Sequence, residues 1–121
     1  MKTDRPIYLD LHRIRQPLPA VVSLLHRLSG AFLFLLIPFL LSVLEASLSG
    51  PTGFVAVLSS LWAKVMLFGV LAAFFYHLFA GLRFLLLDMG WGVALTSARR
   101  AAWLVIVASV LSSAVLGMWL W

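Results

Sequence analysis

Long apolar runs separated by short polar stretches dominate this sequence. Three runs are long enough to be membrane-spanning helices, because a helix needs about 20 mainly apolar residues to cross the hydrocarbon core of a bilayer. We predict spans at about residues 20–48, 58–87 and 98–121, forming one transmembrane domain over residues 20–121 after a segment over residues 1–19. The predicted fold class is an all-α membrane protein with three transmembrane helices.

Proline, glycine and tryptophan mark positions within this pattern. Pro38 is expected to kink the first span, because proline lacks an amide hydrogen and crowds the preceding turn. Gly50 and Pro51 predict a turn over residues 49–53. Trp119 and Trp121 at the end of the third span are typical of the interfacial belt of a membrane protein.

Eight of the nine basic residues fall on one side of the predicted spans, and Lys64 near the start of the second span is the exception. They precede or open the first span, or flank the connection between the second and third: Lys2, Arg5, Arg13, Arg15, Arg27, Arg83, Arg99 and Arg100. The other connection, over residues 49–60, has none. Because cytoplasmic flanks carry an excess of lysine and arginine, we predict a cytoplasmic N-terminal segment and an external C-terminus.

Composition and charge exclude several classes of protein. Hydrophobic residues make up 64% of the chain and charged residues 11%, against roughly 25% charged residues in soluble domains. The three spans leave no room for a soluble catalytic domain, so we expect any such catalytic chemistry to come from partner chains. The chain has no cysteine, which excludes thiolate-bound iron-sulphur clusters and disulfides. The net charge is +5, but the basic residues are scattered along the membrane edges. This distribution argues against nucleic acid as a partner.

Polar side chains at the start of the first span form the first candidate site. Ser23, His26, Arg27 and Gly30 fall at helical offsets that share one face. Serine and arginine can donate hydrogen bonds to a carbonyl or carboxylate oxygen, so a quinone head group or a carboxylated cofactor would fit. Alternatively, Arg27 reaches lipid phosphates and His26 bonds to a neighbouring helix.

His77 is the second candidate, because it lies deep in the second span. Small residues surround it on its helix face, at Gly69, Ala73, Ala80 and Gly81. They leave room for a flat macrocycle, and histidine is a usual axial ligand of haem. A haem on His77 could direct its propionates toward His26 and Arg27. Alternatively, the small residues serve tight helix packing and His77 makes an interhelical hydrogen bond.

Two motifs in order resemble the cytochrome b subunit of succinate dehydrogenase. The first is Arg5-Pro6, Leu9-Asp10-Leu11, Ile14, Pro17 and the residues SLLHRLSG at 23–30; the second is His77, Gly81-Leu82-Arg83 and Asp88. The third span carries almost no signature. Some relatives have a histidine where this chain has Phe84, which leaves His77 without a nearby alternative ligand.

The resemblance implies a four-subunit succinate:ubiquinone oxidoreductase, complex II of the TCA cycle and respiratory chain, in a bacterial inner membrane. This multi-pass chain would be one half of its membrane anchor, within a heteromeric helical bundle. Its partners would be a flavoprotein subunit, an iron-sulphur subunit, a second anchor subunit and the lipid bilayer. The chain would have no catalytic residue of its own and would belong to an enzyme only as a non-flavin subunit.

The resemblance also implies roles for individual residues. His77 would be one axial ligand of a haem b shared with the second anchor subunit, with His26 and Arg27 near the haem propionates. Ser23 and Arg27 would help to bind ubiquinone. Asp88 would belong to a proton path or hold Arg83 or Arg27, and we favour the structural role.

Further expectations concern the N-terminal segment and rival functions. The stretch Asp4–Gln16 is expected to pack on the iron-sulphur subunit, with a position along the lipid surface as the alternative. One rival function is the anchor of a fumarate reductase-type quinone enzyme. The other is a non-redox small membrane transporter, in which His77 and Arg27 line a polar path.

Overall fold

The computed structural model of the chain describes residues 16–121. Within this range the chain forms five helices: α1 (Leu18–Leu35), α2 (Ile37–Leu48), α3 (Pro51–Ser59), α4 (Leu61–Asp88) and α5 (Leu95–Leu120). Three of them, α1, α4 and α5, are long and apolar enough to cross a membrane. The predicted all-α fold class with three spans is therefore confirmed. The predictions on residues 1–15, including most of Asp4–Gln16 and the start of the first motif, lie outside the described residues.

A single residue, Leu36, separates α1 from α2, close to the kink expected at Pro38. Proline here occupies the first turn of α2, where its missing amide hydrogen costs no helical bond. The backbone amide of Leu36 still donates to the carbonyl of Phe32 at 3.1 Å, and that of Leu40 donates to the carbonyl of Leu36 at 3.0 Å. The predicted distortion is thus a short break between two helices.

The connection after α2 is shorter than the sequence predicted. Only Ser49 and Gly50 separate α2 from α3, and Gly50 has a φ of 114°, a conformation that glycine adopts without a steric penalty. The prediction of a turn was wrong for residues 51–53, which are helical. Pro51 is the first residue of α3, because its fixed φ suits a helix start as well as a turn. A second break, at the extended residue Ser60, precedes α4.

The core lies where α1, α4 and α5 meet. Its buried members are Val22 from α1, Ala80 from α4, and Ala102 and Val105 from α5. Partly buried side chains pack around them: Leu18, Tyr76, Phe79, Phe84 and Ile106. Small residues allow the helices to approach closely. This core therefore holds α1 against α4 beside the polar residues of both helices.

Two buried serines continue the inner face of α5. The hydroxyl of Ser109 donates to the carbonyl of Val105 at 2.6 Å, and that of Ser113 donates to the carbonyl of Ser109 at 2.7 Å. Bonding to the carbonyl four residues back satisfies each hydroxyl within its own helix. Both serines thus act as small residues in the interior of the helix bundle.

Large apolar side chains cover the outside of the helices. Exposed examples occur on every long helix, such as Leu24, Leu28, Leu82, Leu104 and Leu111. Contiguous exposed apolar surface of this kind marks contact with a membrane or with another protein. The outer faces of the bundle therefore suit lipid or partner helices.

Candidate functional site

The two candidate histidines meet between α1 and α4. The rings of His26 and His77 are stacked, with centroids 4.1 Å apart and planes 12° from parallel. They come from residues 51 positions apart in the chain. The structure therefore brings together two of the residues that the sequence assigned to one composite site.

Nδ1 of His77 lies within hydrogen-bond distance of two oxygens. The backbone carbonyl oxygen of His26 is 3.1 Å away and Oγ of Ser29 is 3.2 Å away. The Ser29 hydroxyl donates to that same His26 carbonyl at 2.9 Å. A carbonyl oxygen can only accept, and the Ser29 proton is already directed to it. We therefore assign the ring proton of His77 to Nδ1.

This tautomer leaves the other ring nitrogen of His77 as an acceptor. Among residues 16–121, no side-chain hydrogen bond engages Nε2 of His77. A neutral imidazole with a free Nε2 lone pair is the form in which histidine binds metals. Within the same residues, no three His, Cys, Asp or Glu side chains are grouped to hold a metal ion. His77 is thus a single candidate ligand.

Gly30 allows α1 to approach the His77 ring. A Cβ atom placed on Gly30 would lie 2.8 Å from Cε1 and 3.3 Å from Nδ1 of His77. The first distance is shorter than a van der Waals contact, so any side chain at position 30 would displace the ring. Glycine in the first motif therefore has a packing role that depends on α4.

We expect Gly30→Ala to destabilise the packing of α1 on α4. Overpacking a close contact costs about 1–3 kcal/mol, and the His77 ring is already confined by the His26 ring. The matched control is Gly81→Ala, whose added Cβ would lie 3.5 Å from Nε2 of His26, an ordinary contact. Thermal unfolding in detergent should show a lower midpoint for the first variant only. Equal midpoints for both variants would contradict the packing role of Gly30.

Phe84 of α4 packs against His26. Its ring lies 5.2 Å from that of His26, at an angle of 57°. His26 is therefore enclosed by His77 and Phe84 on α4. Phe84 supports the position of His26 by packing and offers no ligand atom.

Tyr76 adds a polar link between α4 and α1 that the sequence did not indicate. Its hydroxyl donates to the backbone carbonyl of Val22 at 3.1 Å. Buried or half-buried tyrosines usually find such a partner, because an unpaired hydroxyl is costly in an apolar environment. The bond fixes α1 to α4 one turn before His26.

Within residues 16–121, neither Ser23 nor Arg27 makes a side-chain hydrogen bond to α4. Arg27 is exposed and Ser23 is half-buried. Successive residues of an α-helix are rotated by about 100°, so Arg27 points well away from the direction of His26. The predicted polar face is therefore divided: His26 and Gly30 contact His77, while Arg27 is open to lipid or to a partner chain.

The small residues around His77 take part in helix packing. Gly69 faces Phe32 of α1, where an added Cβ would lie 3.9 Å from the phenyl ring. Ala80 is completely buried in the core. For these two positions the structure favours the packing interpretation over an open space beside the helix.

Arg83 is buried between α4 and α5, which the sequence did not predict. Only 6% of its surface is exposed. Nη2 donates to the carbonyl of Ala98 at 3.5 Å, whereas Nε and Nη1 have no partner among residues 16–121. The guanidinium carbon lies 5.2 Å from the centroid of the Phe84 ring, within the range of a cation–π contact. The sequence feature that could have predicted this burial is the position of Arg83, more than one turn before the end of α4.

Arg83 also lines a pocket of about 320 Å³ between α4 and α5, whose other walls include Phe79, Leu86, Trp91 and Leu104. In the described part of the chain, Arg83 makes no ion pair with Asp88, which is exposed. We favoured a structural role in which Asp88 holds Arg83 or Arg27, and within residues 16–121 the ion pair with Arg83 is absent.

Comparisons with known proteins agree on one family. Residues 1–116 match the model of the succinate dehydrogenase/fumarate reductase transmembrane subunit. The chain is 33% identical over 125 residues to the succinate dehydrogenase cytochrome b556 subunit of Coxiella burnetii, with both chains fully covered. It is 33% identical to the subunit of the same name from Paracoccus denitrificans, covering 88% of this chain and 85% of that protein. The corresponding Rickettsia felis subunit is 31% identical, with 97% and 90% covered.

Proposed function

The chain belongs to the family of succinate dehydrogenase and fumarate reductase transmembrane subunits, and from that premise we propose that it is the haem b-binding anchor of a bacterial succinate dehydrogenase. The observation that carries this proposal is the hydrogen bonding of His77. Nδ1 is engaged by the carbonyl of His26 and the hydroxyl of Ser29, and Nε2 remains for iron. A ligating histidine almost always donates its other ring N–H to such an acceptor.

Residues on α1 and α4 would hold the haem. His77 would supply one axial ligand, and the second would come from the other anchor subunit, as the family resemblance implies. His26 and Arg27 would lie near the propionates, whose carboxylates need hydrogen-bond donors and positive charge when they are shielded from water. When bound, the haem would supply a centre that is reversibly oxidised and reduced by one electron.

Ser23 and Arg27 are the proposed quinone-binding residues. Both lie on α1 within one turn of His26, and Arg27 is exposed. Their hydroxyl and guanidinium groups would donate hydrogen bonds to the quinone carbonyl oxygens. Donors aimed at an oxygen that becomes negative stabilise it more strongly as the charge develops. The chain would thereby favour electron transfer from the iron-sulphur subunit to ubiquinone.

The remaining parts of the proposal concern partners and location. The exposed apolar faces of the three long helices would contact lipid and the second anchor subunit. The N-terminal segment would face the cytoplasm and pack on the iron-sulphur subunit, to which the flavoprotein binds. The assembled complex would lie in the bacterial inner membrane, and protons for quinone reduction would enter from the cytoplasm.

An optical spectrum of the assembled complex tests this function. The chain should be purified together with its neighbouring subunits from cells supplied with haem. We expect a b-type haem spectrum with one haem per complex. A complete complex that lacks the absorption bands of b-type haem would contradict haem binding.

The family description also includes fumarate reductase, which keeps a second function open. An anchor of that enzyme would bind haem and quinone but would serve electron flow toward fumarate. Turnover of the complex should be compared in both directions, with succinate and quinone and with quinol and fumarate. Faster succinate oxidation supports the proposed function, and faster fumarate reduction supports the alternative.

A further inference from the structure

We propose that Ser29 is a positioning residue for His77, which holds the imidazole in one tautomer and tunes its strength as an iron ligand. This inference rests on the proposed haem ligation by His77. Ser29 lies three residues after His26, within the first motif. The sequence assigned no role to it, because its contact with His77 spans 48 positions of the chain.

The geometry is a triangle of three polar atoms. Oγ of Ser29 is 2.9 Å from the carbonyl oxygen of His26 and 3.2 Å from Nδ1 of His77, and Nδ1 is 3.1 Å from the same carbonyl oxygen. Because the serine proton points to the carbonyl, the lone pairs of Oγ are available to the Nδ1 proton. The imidazole N–H is thus shared between two acceptors, both held by α1.

In addition to these hydrogen bonds, packing contacts restrict the orientation of the His77 ring. One face of the His77 ring is covered by His26 at 4.1 Å, and the Cε1 edge lies against the backbone at Gly30. Nε2 is the ring nitrogen without a hydrogen-bond partner among residues 16–121. The orientation of its lone pair is therefore set by the two acceptors and by the close approach of α1.

An acceptor on the outer N–H of a ligating imidazole increases the electron density on the ligating nitrogen. A more basic ligand stabilises ferric relative to ferrous iron, and such bonding is one means by which proteins set haem potentials. Removing the Ser29 acceptor should weaken this effect, while the His26 carbonyl preserves the tautomer. We expect Ser29→Ala to favour ferrous haem by up to about tenfold, which corresponds to an increase of ~59 mV in a one-electron potential.

The test compares variants of the intact four-subunit complex by redox titration of the haem and by electron paramagnetic resonance of its ferric form. Ser29→Ala should raise the potential and shift the resonance signature. Ser29→Thr retains the hydroxyl and should restore both properties. The matched control is Ser42→Ala, because the Ser42 hydroxyl also donates to a carbonyl three residues back, that of Phe39 at 2.7 Å, but on the exposed surface of α2. This control should equal the wild type.

Each outcome bears on the proposal. If Ser29→Ala binds a full complement of haem with unchanged potential and resonance, Ser29 has no positioning role, although haem ligation by His77 stands. If both the alanine and threonine variants lose haem, the role of Ser29 is steric and the proposal is overturned. Haem loss in the alanine variant with recovery in the threonine variant supports it. A wild-type complex without haem would instead defeat the proposed function itself.

Discussion

We expect that replacing His77 with leucine will remove or strongly perturb the b-type haem spectrum of the assembled complex. Leucine has a similar volume but no nitrogen, so iron loses the axial ligand that α4 would supply. Haem that stays in place without the ligand from His77 would also show an altered spectrum. The measurement is the reduced-minus-oxidised optical spectrum, normalised to the flavin content of the same preparation.

Tyr76→Phe is the matched control for this variant. It changes the neighbouring residue of the same helix and removes the hydrogen bond to the Val22 carbonyl, but it leaves the imidazole untouched. We expect its haem spectrum to resemble that of the wild type. An unchanged spectrum in His77→Leu would reject the ligand assignment, and equal losses in both variants would indicate general damage to the contact between α1 and α4.

We expect that replacing Arg27 with leucine, or Ser23 with alanine, will weaken quinone reduction while succinate oxidation with an artificial electron acceptor survives. A hydrogen bond to a charged group contributes about 1.5–3 kcal/mol, and about 1.4 kcal/mol corresponds to a tenfold change. We therefore expect roughly a 10- to 100-fold loss of quinone reductase activity for Arg27→Leu. The loss for Ser23→Ala should be smaller, since its hydroxyl is neutral. Both activities should be measured on the same preparation.

Arg99→Leu serves as the charge-matched control for Arg27. Arg99 is an exposed arginine near the start of α5, so its replacement removes the same charge from another helix. Quinone reduction should remain near the wild-type rate in this variant. Normal activity in both Arg27→Leu and Ser23→Ala would place the quinone site elsewhere. Loss of succinate oxidation with the artificial acceptor would indicate failed assembly.

The tests of haem ligation and of quinone binding can be interpreted independently, because neighbouring residues of α1 point in different directions. His26 stacks on His77 at the contact with α4, whereas Arg27 is exposed. A variant at position 27 can therefore alter quinone binding while the contact between α1 and His77 is preserved. The single polar face predicted from helical offsets would not have distinguished the two groups.

Features of the fold that have their cause within a single segment could be predicted from the sequence. The three long apolar helices were predictable, because the cost of placing polar backbone and side chains in hydrocarbon restricts each run to a helix. The break near Pro38 was predictable, because proline suits the first turn of a helix and not its interior. The turn at residues 49–53 was predicted too long, because proline begins a helix as readily as it ends one, and residue 51 begins α3.

The sequence by itself determined that this chain is an all-helical membrane protein with three long apolar helices, and its two motifs identified the family. Only the tertiary structure decided that Ser29 bonds to His77, that Arg83 is buried, and that His26 and Arg27 point in different directions from α1. Apolar character and turn chemistry are properties of single segments. Contacts across 48 or 51 residues depend on the rotation and offset of one packed helix against another, which no single segment specifies.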